Sequence, residues 1–356
     1  MTATEPHDSA EPHDLSSVRA ALPGGLPAAV RRIVVGVDGS ERSADAVALA
    51  SRLGRAAGAE LVVAAVCPVD GPGPASLTAR DEAWRRIDRV HPALEGFERW
   101  KPQVVDAASP ARGLHELAGR AHAELLVIGS THRGPVSRVV LGRLARRLLH
   151  GASCAVAITP RGHRLPPPGT PLVVGVAFDG SAESRLALDA GARWARELGA
   201  SLRVVSALEL PIPASPVFGT VSYRHTLESM RRFARDRLVE ACATLEVPAG
   251  VAYEIRERDP VSVLADESAR VDLLIVGSRA YGPVRTVLLG GVSGPVAERA
   301  TCPVLVVPRG VATAASDGPI ADAHPPRELP DRPGPPLPIP SVPEENPHVS
   351  DHRRRV

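Results

Sequence analysis

Short runs of valine, isoleucine and leucine recur along the chain, alternating with longer stretches in which apolar residues return every three or four positions. Between residues 31 and 160 the runs are IVVGV, ELVVAAV, QVVDA, ELLVIGS and AVAIT; between 172 and 308 they are LVVGVAF, SLRVVSAL, VAYEIRE, DLLIVGS and PVLVV. The stretches between the later runs predict helices near 182–198, 222–244, 260–270 and 292–300. A strand that is apolar on both faces must be covered on both, and strands separated by helices are joined by crossovers. The pattern therefore predicts an α/β fold of five-stranded, doubly wound parallel sheets with helices on each side. In such a sheet a ligand sits outside the carboxyl ends of the strands, where the winding direction reverses.

The two sets of runs are copies of one unit. RRIVVGVDGSERSADAV at 31 aligns with LVVGVAFDGSAESRLAL at 172, an offset of 141 that persists through GAEL at 58 and GASL at 199. GSTHRGPVSRVVLGRLARRLLHGASCAVAITPR at 129 aligns without gaps to GSRAYGPVRTVLLGGVSGPVAERATCPVLVVPR at 277, now at an offset of 148, and 13 of the 33 positions are identical. The expected organisation is a disordered segment 1–28, a first domain 29–162, a linker 163–171, a second domain 172–310 and a proline-rich disordered tail 311–356.

Composition narrows the partners. The formal charge is +2, from 42 basic and 40 acidic residues, which offers no sustained basic face for nucleic acid. No uninterrupted apolar run is long enough to cross a bilayer, and the acidic, polar N-terminus MTATEPHDSAEPHD does not read as a secretion signal. The four cysteines, Cys67, Cys154, Cys242 and Cys302, form no CxxC pair, so a cytoplasmic protein without zinc or a disulfide framework is expected. His115 and His122 lie seven apart on a predicted helix, and His132, His150 and His163 have no ligand spacing, so all five read as surface or satisfied histidines. Leu53 and Trp194 fall at equivalent helix positions and read as core.

The candidate chemistry lies in the loop after each fourth strand. In the second copy Gly277 and Ser278 end that strand, Gly282 lies in the loop, and Gly290, Gly291, Val292 and Ser293 lead into the last helix. Glycine lets phosphate oxygens approach the backbone, and the first N–H groups of a helix lack intrahelical partners. This is an anion site in outline only: no GK[ST] follows, and no GxGxxG follows the first strand. Asp38 and Asp179 end the first strands of their copies, where a carboxylate suits a ribose hydroxyl or an adenine edge. The same Asp-Gly-Ser also reads as a turn in which Ser40 or Ser181 caps the following helix.

The VGVDGS and VAFDGS strand ends, the late GS…GPV…LLGG…S loop and the closing TCPVLVVPR resemble the universal stress protein family, in its tandem actinobacterial form, over nearly all of residues 30–310. The resemblance implies a Rossmann-like sheet of order 3-2-1-4-5 in each copy, an intramolecular pseudo-dimer or a homodimer packed through the last strands, and ATP, with or without Mg2+, in one subgroup. That subgroup carries glycine, two residues, glycine, nine residues, then glycine and Ser or Thr. In the second copy Gly277 and Gly290 match, while Ala280 and Gly291 depart from the pattern; in the first, Gly129 and Gly142 match, while His132 and Arg143 depart further. Arg143 either reaches a phosphate or fills its space.

No GxSxG, paired-carboxylate or Cys/His arrangement is visible, so an enzyme is not expected. The leading expectation is an ATP-binding stress-response regulator, its nucleotide held mainly by the second copy and altering affinity for an unidentified protein partner. A nucleotide-free interaction module is the alternative, and a slow ATP hydrolase the third reading.

Overall fold

The computed structural model of the chain describes residues 30–69, 75–130, 142–149, 152–163, 166, 170–210, 220–278 and 291–308. The expected N-terminal segment, the proline-rich tail and much of the expected linker lie outside these residues, as do His132, His150, Ala280, Gly282 and Gly290.

In the first copy the elements run β1 (Arg32–Val37), α1 (Glu41–Ala57), β2 (Glu60–Pro68), α2 (Leu77–Val90), a 3-10 turn His91–Leu94, β3 (Trp100–Ala107), α3 (Pro110–Arg120), β4 (Leu125–Gly129), α4 (Arg143–Leu149) and β5 (Ala155–Thr159). The second copy repeats them as β6 (Val173–Ala177), α5 (Ala182–Leu198), β7 (Ser201–Ala207), α6 (Thr220–Ala243), β8 (Val251–Arg256), α7 (Pro260–Glu267), β9 (Leu273–Gly277), α8 (Ser293–Arg299) and β10 (Val304–Val307). Local chemistry sets the boundaries. α1 and α5 stop at Gly58 and Gly199, whose φ of 62° and 63° are left-handed and whose N–H groups close onto the last helical carbonyls. α3 and α7 begin alike, with proline in the first turn and a capping side chain before it: Ser109 accepts from the Arg112 N–H and Asp259 from the Ser262 N–H.

The strands form one sheet of ten, in the order β3-β2-β1-β4-β5-β10-β9-β6-β7-β8. Each copy thus contributes the order 3-2-1-4-5. Every pairing is parallel except that of β5 with β10, which run antiparallel with Ile158 opposite Val304, Ala157 opposite Leu305 and Val156 opposite Val306. The two fifth strands, each an apolar edge in its own copy, cover one another. α1, α2, α5 and α6 pack on one face of the sheet, and the pairs α3 with α4 and α7 with α8 pack on the other. One apolar cluster runs through both copies beneath α1 and α5, and Leu53 and Trp194, 1% and 2% exposed, both belong to it. Among the described residues no helix is long and apolar enough to cross a membrane.

Candidate functional site

In each copy the order 3-2-1-4-5 reverses between the first and fourth strands, and a crevice opens there at their carboxyl ends. In the second copy it lies between β6 and β9. Val205 and Ala207 of β7, Pro260 and Leu264 of α7 and Val276 of β9 give it an apolar wall, and Asp179, Ser181, Glu183, Gly277, Val292 and Ser293 stand round the mouth. Four positions singled out in the sequence, Asp179, Gly277, Val292 and Ser293, therefore meet in one place. Ser278 is fully buried beside them, its N–H donating to the Val307 carbonyl at 3.0 Å. Gly291 is exposed just before α8, and Gly282 and Gly290 lie outside the described residues.

The first copy builds the matching crevice from Asp38, Ser40, Arg42, Arg86, Gly129, Ser130, Leu144 and Ala145, among others. Gly142 precedes α4, and its carbonyl accepts from the Arg146 N–H at 3.0 Å. Arg143 is exposed and is not among the residues that line the crevice; Leu144 and Ala145 stand where the second copy has Val292 and Ser293.

Gly129 and Gly277 have a structural role that involves no ligand. A Cβ on Gly129 would lie 2.5 Å from the Arg42 carbonyl oxygen, and one on Gly277 would lie 2.6 Å from that of Glu183. The opening turn of α1 or α5 thus rests on the end of the fourth strand, where only a residue without a side chain fits.

That same turn sets the charge of each crevice. Arg42 in the first copy corresponds to Glu183 in the second, each four residues after the strand-end aspartate. Asp38 accepts from the Ser40 N–H at 3.0 Å, from the Ser40 hydroxyl, from the Ser43 hydroxyl at 3.0 Å and from the Arg42 guanidinium at 3.2 Å. Ser40 consequently makes no side-chain cap to α1, contrary to the sequence expectation: its hydroxyl is spent on Asp38. In the second copy, with Glu183 in place of Arg42, Ser181 does cap α5, accepting from the Ser184 N–H at 3.2 Å, and Asp179 accepts from the Ser181 N–H at 2.9 Å.

Burial alone would raise the Asp38 pKa, but the hydrogen bonds from Ser40 and Ser43 and the charge of Arg42 outweigh it and hold the carboxyl below its ordinary 3.8. A depressed folded-state pKa contributes stability that is complete above the unfolded value and lost as pH falls through the folded one. Acidification from about pH 5 to about pH 2 should therefore destabilise the wild type more than Asp38→Asn, read from urea midpoints. Equal pH slopes in the two proteins would show that this network does not hold the carboxylate.

Among the described lining residues, then, the first crevice sets two arginines against one aspartate, and the second has two carboxylates and no basic side chain. Each glycine loop also brings two arginines in sequence, Arg133 and Arg138 or Arg279 and Arg285, outside the described residues. The described part of the second crevice fits the nucleoside end of ATP, with an apolar slot for a base and an acceptor at its mouth. Its two carboxylates do not fit a polyphosphate unless a cation or the loop arginines neutralise it. Among the described residues no group of three or more histidines, cysteines and acids could itself hold a metal ion.

Comparison with known proteins agrees with this architecture. The sequence profile of the Universal stress protein family matches the chain twice, over residues 29–160 and 173–308. A universal stress protein of Mycobacterium tuberculosis is 28% identical over 294 residues, covering 78% of this chain and 99% of the relative. Among solved structures, a functionally unknown protein from Pseudomonas aeruginosa superposes with a TM-score of 0.56 at 18% identity, covering 79% of this chain and 93% of that one. A universal stress protein from Archaeoglobus fulgidus superposes at 0.52 with 21% identity, covering 79% and 97%. These two superpositions speak to the fold alone. With the fold, the doubled unit and the two profile matches in agreement, the chain belongs to the universal stress protein family and carries two of its domains in tandem.

Proposed function

We propose that this chain is a nucleotide-responsive regulatory protein that binds ATP or a related adenine nucleotide in the crevice of its second copy and, when occupied, changes its affinity for a protein partner. The convergence of Asp179, Gly277, Val292 and Ser293 on one crevice at the point where the winding reverses carries this reading. An adenine would lie against Val205, Leu264 and Val276, a ribose hydroxyl would donate to Asp179, and the phosphates would leave toward the start of α8, with Mg2+ offsetting the nearby carboxylates. Occupancy would stabilise one arrangement of the paired copies by differential binding. A regulator rather than an enzyme is the reading: the acidic side chains of the described wall, Asp179 and Glu183, serve here as an acceptor and a charge.

A reducing compartment such as the cytoplasm suits the thiols. All four cysteines are free and buried, and burial pushes Cys154 and Cys302 up to about 12, so neither offers a reactive thiolate. A nucleotide-free interaction module is the second reading, and Glu183 favours it by placing a second carboxylate where a phosphate would pass.

Calorimetric titration of Mg-ATP and of adenosine into the nucleotide-stripped full chain decides between them. Binding that weakens by about tenfold in Asp179→Ala, the loss of one charge-assisted hydrogen bond, is the expected result. Absence of heat and of thermal stabilisation at millimolar ligand would leave the interaction module.

A further inference from the structure

We propose that the crevice of the first copy binds a small phosphate-bearing molecule through its oxyanion. The proposal is independent of whether the second copy takes a nucleotide.

Two features of the first crevice are absent from the described part of its counterpart. One is cationic: Arg42 and Arg86 both line it, and the Arg42 side chain is held in place, 12% exposed, by its contacts to Asp38 and Ser40. At the position of Arg42 the second copy has Glu183, and Arg237 of its α6 turns instead to the Gly180 carbonyl. The other feature is a polar group without a partner. Ser130, which lines the crevice, is 4% exposed, and its hydroxyl makes no hydrogen bond to the described residues; the Thr159 hydroxyl, fully buried on the neighbouring β5, makes none either. The two residues are joined through the Ser130 N–H and the Thr159 carbonyl at 2.9 Å. Buried hydroxyls are almost always hydrogen-bonded, so an orphan that lines a crevice marks the place of a missing acceptor.

An oxyanion supplies that acceptor. It accepts only, and so it can take the Ser130 O–H together with N–H donors of the two guanidinium groups, which also pair with Asp38 and Glu82, whereas a neutral sugar or base would bring donors of its own to a place already rich in them. Nucleoside recognition is disfavoured in the same place. The strand-end carboxylate that would accept a ribose hydroxyl, Asp38, is already engaged by Ser40, Ser43 and Arg42. The chemistry of the first crevice therefore selects the phosphate end of a ligand, and that of the second the nucleoside end.

The test titrates the full chain with inorganic pyrophosphate, which has no base, and separately with adenosine, which has no phosphate, at low salt and at about 0.15 M ionic strength. Pyrophosphate should bind with strong salt dependence. Arg42→Glu, which gives the first copy the acidic residue type of the second, should weaken it by at least about tenfold, since it removes a charged donor and adds repulsion. Arg42→Lys keeps the charge with a smaller perturbation of the fold, and should bind more weakly than wild type but better than Arg42→Glu. Ser130→Ala should lose several-fold in affinity, with thermal unfolding confirming that each variant is folded. Adenosine binding should be the same in all of them. Pyrophosphate that fails to bind at millimolar concentration, or binds Arg42→Glu as it binds wild type, overturns the proposal. A failure of adenosine alone bears only on the second copy.

Discussion

Val306→Asp is expected to be the most damaging single substitution at the joint between the copies, costing at least about 4 kcal/mol and lowering the melting temperature by about 10 °C. Val306 is 1% exposed in β10 and faces Val156, also 1% exposed, across the only antiparallel pairing among the described strands. The other side of β10 is occupied by β9, so a carboxylate at this buried position would be cut off from solvent. The new side chain must fold protonated, fold as a buried unpaired charge, or part β5 from β10. The third course divides the ten-stranded sheet into two five-stranded halves, each with an exposed apolar edge, so self-association should accompany the loss. Ala252→Asp is the control: Ala252 is exposed on the outermost strand β8 and should shift stability by no more than about 0.5 kcal/mol. Thermal melts and light scattering of both variants check the pair, and a wild-type melt for Val306→Asp would mean that β5 and β10 do not join the copies.

That joint was legible in the sequence because the doubling was. Once AVAIT and PVLVV are recognised as the same strand in two copies, each is an apolar edge in search of cover, which together with the family resemblance pointed to these strands as the contact but left open pairing within one chain or between two; they pair within the chain. The helix ends were legible too: GAEL and GASL each place a glycine where the chain needs a left-handed residue. β3 was less so. It starts at Trp100, three residues before the apolar run QVVDA, and contains Pro102. An edge strand has one side without a sheet partner and tolerates a proline that a central strand would reject, so local apolarity understates its length.

The candidate site was half legible, for a different reason. Glycine loops draw attention because glycine marks places where the backbone needs room or a positive φ. The residues that distinguish the crevices lie in the opening turn of the first helix, where GSERS in one copy faces GSAES in the other. The signal was present as a spacing: Asp38 and Arg42 stand four apart, as do Asp179 and Glu183, one an ion pair and the other a pair of like charges. Pro260 and Leu264, which wall the second crevice, carried no signal, because an apolar residue on an amphipathic helix looks the same whether it faces a core or a ligand. Burial and an unpartnered hydroxyl such as that of Ser130 exist only in three dimensions.

Gly277→Ala separates packing from binding at the residue where the two readings overlap most. The added methyl carbon would sit 2.6 Å from the Glu183 carbonyl oxygen and 2.7 Å from its carbon, both backbone atoms. A flexible side chain could turn away from such a clash; the first turn of α5 cannot, unless the helix shifts on the sheet. The expected cost is about 1–3 kcal/mol, the range for overpacking a core, and Gly129→Ala against the Arg42 carbonyl should cost a similar amount. Gly291→Ala is the contrasting case. A Cβ there meets none of the described residues within 4 Å, so the fold should be indifferent to within about 0.5 kcal/mol. If nucleotide passes close to that backbone, however, affinity for Mg-ATP should fall while the melting temperature stays put. Measured together by calorimetry and thermal unfolding, the two variants assign each glycine its reason. A stability loss at Gly277 with no loss at Gly291 places the first in the packing of strand on helix and leaves the second as a reporter of the ligand. A Gly277→Ala protein as stable as wild type would show instead that α5 does not rest on β9, and the glycine would then need a ligand to explain it.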